Sequence, residues 1–286
     1  MALALVCAAG VLVGLAGGAS SAGASDQVPT YYLALGGSGS VGFQPAPAHP
    51  EGERTDRGYA NDLVVAERSR WSDLSLVQLG CPGATTETML SGGGKCLYAE
   101  GSQLDAAVAF LHDHPSTVLV TLDLGFNDVQ PCLRHETLDE DCATLAIERV
   151  RDQLPVILER LRAAGGPGLE IVGVGHYDPF LGYYVDGPDG PSFASASLGV
   201  IGRLNDTLRT AYAAAGVPMA NVAAAFDVTG TEVTDAPGIG AVPRNVARAC
   251  ALTWVCAPSP LGPNRHPNDA GYRAIAEAIA DVIAAH

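Results

Sequence analysis

Short apolar runs alternate along this chain with longer stretches in which apolar residues recur every third or fourth position. Residues 31–35 (YYLAL), 74–79 (LSLVQL), 118–124 (VLVTLDL), 170–175 (EIVGVG) and 219–225 (MANVAAA) are largely apolar on successive positions, the pattern of strands covered on both faces. Residues 61–70, 102–112, 143–164 and 195–215 carry helical spacing; in the third, Ala146, Val150, Leu154, Ile157 and Leu161 form one stripe. Residues 269–285 repeat that pattern, and the GGPG of 165–168 ends the long helix before the fourth strand. The alternation predicts an α/β protein with a central parallel sheet and helices on both faces, a three-layer α/β/α sandwich. Ligands of such sheets sit beyond the carboxyl ends of the strands. The Pro/Gly-rich stretches 186–191 and 237–243 read as loops rather than boundaries, so residues 25–286 are expected to form one domain.

The first 24 residues break this rhythm. MALALVCAAGVLVGLAGGASSAGA is an apolar run of signal-peptide length that ends in Ala22-x-Ala24 before Ser25, without a basic start. An uncleaved anchor is the alternative, but glycine and serine dilute the run below a good membrane span. Export is expected, with no stable membrane span once the leader is removed. Setting Cys7 aside leaves Cys81, Cys96, Cys132, Cys142, Cys250 and Cys256, an even number that suggests three disulfides in an exported chain. They fall into close pairs, so 81–96, 132–142 and 250–256 is the expected connectivity. Zinc on Cys132, His135 and Cys142 would need a fourth ligand and reduced thiols, and no metal is expected.

Charge narrows the partners. The chain of 286 residues has a net charge of −15, and Lys95 is its single lysine. Phosphate backbones and anionic membrane surfaces are poor partners for such a chain, so nucleic acid is not expected to bind.

Candidate chemistry begins at 33–45, LALGGSGSVGFQP, which has two readings. Gly37, Gly39 and Gly42 spell the G-x-G-x-x-G of a dinucleotide-binding turn, which requires a helix to start at its later glycines. Here FQPAPAHP follows, and Pro45, Pro47 and Pro50 preclude a regular helix. No cofactor is therefore expected. In the second reading Ser38 is a nucleophile at a strand end, which needs a base and oxyanion donors from elsewhere. Strand ends supply them: GCPGATT at 80–86, GFND at 125–128, and HPNDAGY at 266–272, just ahead of the last helix.

With these four blocks in order, the chain resembles the SGNH (GDSL-type) hydrolases, and among them the secreted bacterial esterases with three disulfides. The family's four named residues correspond to Ser38, Gly83, Asn127 and His266, and the likeness runs from about residue 31 to the C-terminus. It implies a flavodoxin-like sandwich and a hydrolysis in which Ser38 attacks an ester carbonyl. It also implies His266 as general base, then general acid, and an oxyanion hole from the backbone N–H groups of Ser38 and Gly83 with the Asn127 amide. A Cβ at position 83 would crowd the substrate.

Two positions depart from the family pattern. Gly37 stands where Asp is usual, and Pro263 stands where an Asp commonly orients the histidine. Some members use a backbone carbonyl at that spacing, so the Pro263 carbonyl is expected to accept from His266 Nδ1, giving a Ser38–His266 dyad. His176, after the fourth strand, is the rival base. The expected substrate is a small-molecule or lipid ester with a short-to-medium acyl group, held by walls at 177–184 and 239–246. A carbohydrate deacetylase of the same fold is the nearer alternative; a non-catalytic exported binding protein is the other.

Overall fold

A computed structural model describes residues 29–134 and 137–285, so the leader expected at 1–24 lies outside the described residues. Thr30–Gly36 (β1), Leu74–Gln78 (β2), Thr117–Asp123 (β3), Glu170–Val174 (β4) and Met219–Ala220 (β5) pair in parallel in the order β2-β1-β3-β4-β5. The connecting helices are Tyr59–Ala66 (α1), Gln103–Asp113 (α2), Glu140–Gly165 (α3), Gly190–Ala214 (α4), Arg244–Leu252 (α5) and Asp269–Ala284 (α6).

The two-residue period of the strands sorts the core into two layers. Leu33 and Leu35 of β1, Val120 and Leu122 of β3 and Ile171 of β4 pack with α2, α3 and α4. Tyr32, Ala34, Leu119, Val172 and Val174 face the other way, toward α1 and α6. The α3 stripe from Ala146 to Leu161 is buried throughout, as its spacing predicts. This is the three-layer α/β sandwich expected.

Two local expectations change. The strand expected over 219–225 stops at Ala220, because the Asn221 side chain accepts from Ala224 N and starts a short helix, Val222–Ala225. The segment 239–246 is not a cavity wall. It forms a hairpin, Val233–Ala236 with Gly240–Pro243, and then the start of α5; Val242 and Val246 bury against Ala236.

The strand order changes direction between β1 and β3, which opens a crevice at their carboxyl ends. Register places Gly36 beside Asp123 there. Among the described residues no helix is long and apolar enough to cross a membrane.

Candidate active site

The turn after β1 is held from three sides. Gly36 has φ of 115°, and a Cβ on it would overlap the Asp123 carbonyl, so only glycine fits. Its N–H donates to Gln103 Oε1 at 2.7 Å and its carbonyl accepts from Gln103 Nε2 at 3.1 Å, so one side chain at the start of α2 clamps the strand end. Gly37 N then donates to Asp123 O at 2.7 Å. Ser38 leads into a tight turn, Gly39–Val41, closed by Phe43 N on Ser38 O at 3.1 Å. The Asp123 carboxylate accepts from the Ser40 N–H and fills the space that a side chain at Gly39 would need; burial pushes its carboxyl up. Beyond Gly42 the chain forms a hairpin, Gln44–Ala46 with His49–Glu53, rather than the helix a dinucleotide turn requires.

His266 reaches this turn from 228 residues away, its Nε2 lying 3.0 Å from Ser38 Oγ. The histidine's loop is anchored by Trp254 N on His266 O at 3.0 Å and by the Tyr177 hydroxyl on Arg265 O at 2.8 Å. The partner of Nδ1 corrects the expectation. It is the Asn264 side-chain oxygen at 2.7 Å, not the Pro263 carbonyl. The same oxygen accepts from the His266 backbone N–H at 3.0 Å, while Asn264 Nδ2 donates to the carbonyls of Pro50 and Glu51 at 3.3 and 3.4 Å. Carbonyls on one side and an N–H on the other fix which end of the amide faces the histidine. Nδ1 must then be the donor, which leaves Nε2 bare to accept from the serine hydroxyl. Burial, reinforced by the Arg265 and Lys95 cations, pushes the imidazole down to about 4.

Gly83 and Asn127 border the same space. The Gly83 φ of 87° is a conformation that L side chains rarely adopt, so its backbone requires glycine; the nearest protein atom to a Cβ there would be Lys95 Cε at 3.7 Å. Asn127 Nδ2 donates one hydrogen to Ala84 O at 3.0 Å, leaving its second N–H for a ligand. A Cβ at Gly37 would come within 3.0 Å of that nitrogen, a tight approach that the smallest residue avoids. Asp128 ties the two loops together, its buried carboxylate accepting from Thr86 N and, at 2.7 Å, from Thr86 Oγ1. Cysteines pair as 81–96, 132–142 and 250–256. With both sulfurs bonded, Cys132 and Cys142 offer no thiolates to zinc; His135 lies outside the described residues.

The cavity between these loops has a volume of about 360 Å³, and Phe43, Phe126 and Tyr177 supply its aromatic walls. Of the expected wall at 177–184, Tyr177 lines it directly; Phe180 stacks behind Phe126 at 6.0 Å between ring centres. His176 also lines it, but the ring is occupied, with Nε2 donating to Leu124 O at 3.0 Å and Nδ1 lying 3.8 Å from the Asp123 carboxylate. It is a buried histidine whose Nε2 is committed to a backbone carbonyl, whereas His266 Nε2 meets Ser38. Sequence reasoning missed Asn264, Gln103 and Asp123. A polar residue on the apolar face of a predicted helix was the one available signal for Gln103.

The model of the GDSL-like lipase/acylhydrolase family matches residues 34–274. The chain belongs to that family. As a GDSL hydrolase it is a carboxylic ester hydrolase. Phospholipase A1 from Streptomyces albidoflavus is similar over 88% of this chain and 98% of that one, at 21% identity and a TM-score of 0.56. The extracellular lipase from Streptomyces rimosus is similar over 88% and 99%, at 19% identity and a TM-score of 0.57. A carbohydrate acetylesterase from Sinorhizobium meliloti is similar over 90% and 99%, at 14% identity and a TM-score of 0.51. At these identities the likeness is one of fold. No curated protein matches the chain.

Proposed function

We propose that this GDSL hydrolase is an exported serine esterase acting on carboxylic esters with a short-to-medium or lipid-like acyl group. The observation that carries the reading is the 3.0 Å contact between Ser38 Oγ and His266 Nε2 at the mouth of an aromatic-walled cavity. Ser38 attacks the carbonyl carbon while His266 Nε2 takes its proton; Asn264 holds the imidazole and accepts the Nδ1 hydrogen throughout. The negative charge that forms on the carbonyl oxygen is met by the N–H groups of Ser38 and Gly83 and the second N–H of Asn127. The imidazolium then protonates the leaving alcohol, and a water, deprotonated by the same nitrogen, releases the acid. A neutral imidazole is the form this sequence needs, and a value pushed down to about 4 keeps it neutral in mildly acidic surroundings. Export is supported by the three disulfides and by the apolar leader in the sequence. Aromatics make up only 6% of the chain, fewer than an exposed sugar-stacking groove calls for, which favours an acyl ester.

A fluorophosphonate should label the protein at Ser38, and the labelling should disappear in Ser38→Ala. Hydrolysis of p-nitrophenyl butyrate should be lost in Ser38→Ala and His266→Ala while both variants still melt cooperatively as folded proteins. Asn127→Ala should reduce kcat on the order of 10²–10³-fold, the usual effect of deleting one oxyanion donor. A folded wild-type protein inert to the probe and to the ester would overturn the reading in favour of a binding protein.

A further inference from the structure

The chain's one lysine stands at the ester site. Lys95 Cε and Nζ lie 3.7 and 3.8 Å from where Gly83 would carry a Cβ. Its neighbour Cys96 is bonded to Cys81, two residues before Gly83, so a disulfide fastens the lysine's backbone to the loop that borders the oxyanion position. On the histidine's side Arg265 lines the same cavity, its guanidinium 5.5 Å from the centre of the Phe180 ring and donating to the Tyr183 hydroxyl at 3.3 Å. Both cations are close enough to act on the His266 imidazole. A second cavity, of about 410 Å³, continues past Gln130 and Arg265 and is bordered by Arg134.

This placement runs against the rest of the molecule, whose net charge is −15. Of the two acids that line the cavity, one stands on its exposed rim and the other is buried, where its charged form is disfavoured. Glu51 on the rim turns toward His49, at 3.8 Å, and Asp123 lies behind the nucleophile turn, bonded to the Ser40 N–H. A neutral acyl ester brings Lys95 and Arg265 no formal charge until its oxyanion forms. An anion drawn between them would gain from both, and its charge would raise the basicity of His266 at the moment of binding.

We infer that this esterase selects esters carrying an anionic group, a carboxylate or a phosphate, close enough to the scissile bond to be held by Lys95 and Arg265. The inference rests on the Ser38–His266 reading above and deepens it by naming the substrate class.

Matched ester pairs test it. Mono-p-nitrophenyl glutarate and p-nitrophenyl valerate share an acyl length and differ by one carboxylate. Monolauroyl lysophosphatidate and monolaurin differ by one phosphate. Wild-type kcat/KM should favour the anionic member of at least one pair, and which pair responds identifies the group. Lys95→Gln, at an exposed position that does not endanger folding, should lower the anionic-to-neutral ratio about tenfold, as for one partly screened charge at short range. Arg265→Gln should lower it in the same direction, and 0.5 M salt should compress it in the wild type. A wild-type ratio at or below one in both pairs would overturn the inference. So would an unchanged ratio in Lys95→Gln with both rates reduced together, which would place the lysine on the oxyanion instead. Failure of the wild type to cleave any of the four esters or to react with a fluorophosphonate would sink the esterase reading, and this inference with it.

Discussion

At the scale of single residues, the informative one is Asn264. A carboxylate partner would hold the histidine and also favour its charged form; an amide oxygen holds it equally well and adds no charge. The low basicity of His266 follows from burial beside two cations with no anion to offset them. Asn264→Asp should therefore raise the acid limb of the kcat/KM profile from near pH 4 toward the ordinary histidine range, while keeping the ring in place. Asn264→Ala should lower kcat without moving that limb upward. A pH profile of the three proteins on one neutral ester checks both, and an unmoved limb in the aspartate variant would remove Asn264 from the site. Ser38, Gly83, Asn127 and His266 were visible in the sequence because each sits in a short block after a recognisable strand or before a recognisable helix. Asn264 was not. Two acceptors lie within three residues of the histidine, and only the turn of the loop onto Trp254, with Asn264 N donating to Trp254 O at 3.2 Å, decides which one Nδ1 meets.

Among the elements, helix α2 holds the strand end that leads into Ser38. Ser102 caps it, accepting from Asp105 N at 3.0 Å, and that start places Gln103 against both polar groups of Gly36. Gln103→Leu would leave the buried Gly36 N–H unpaired, while the Gly36 carbonyl keeps Cys81 N at 2.9 Å; the loss is about 1–3 kcal/mol of stability, and it would loosen the strand end that leads to Ser38. Thermal melts and kcat on p-nitrophenyl butyrate should fall together, with KM little changed; full activity at reduced stability would show that the clamp serves the fold alone. The strands and long helices were readable because periods of 2 and 3.6 survive in their apolar residues. Helix α5 was not, because it is short, opens at Arg244 directly after the hairpin's Pro243, and its buried stripe has only Val246, Ala249 and Leu252 as apolar members. The fifth strand was overestimated because alanines and a valine fit either element, and one Asn221 cap decided between them. In α2 only the polar Gln103 on an otherwise apolar face hints at a partner, and nothing in the pattern says that the partner is another strand's end.

For the whole molecule, two groups tie stability to pH with opposite signs. His266 falls in the folded state from its ordinary 6.5 to about 4, so between those values the unfolded chain takes up a proton that the folded one refuses. Its contribution is intact above pH 6.5 and is lost as the pH falls through 4. Asp178 is the reverse case. Buried, with its carboxylate accepting from Phe180 N at 2.9 Å and from Ser197 Oγ at 2.7 Å, it is pushed up by that burial to about 7 from 3.8. The folded state holds that proton where the unfolded chain has released it, so its contribution is full below pH 3.8 and is lost as the pH rises through 7. Two variants separate these terms in thermal melts run from pH 4 to 8. The Tm difference between His266→Ala and wild type should shift in the variant's favour as the pH falls below 6.5. The difference for Asp178→Asn should shift in the variant's favour as the pH rises toward 7, since an amide has no charge to bury. In each case the slope carries the result, because deleting an imidazole or exchanging a hydrogen bond adds an offset that does not depend on pH. Curves parallel to wild type across the range would mean that neither group is held away from its ordinary protonation, and a parallel His266 curve would also withdraw the low acid limb expected of the esterase.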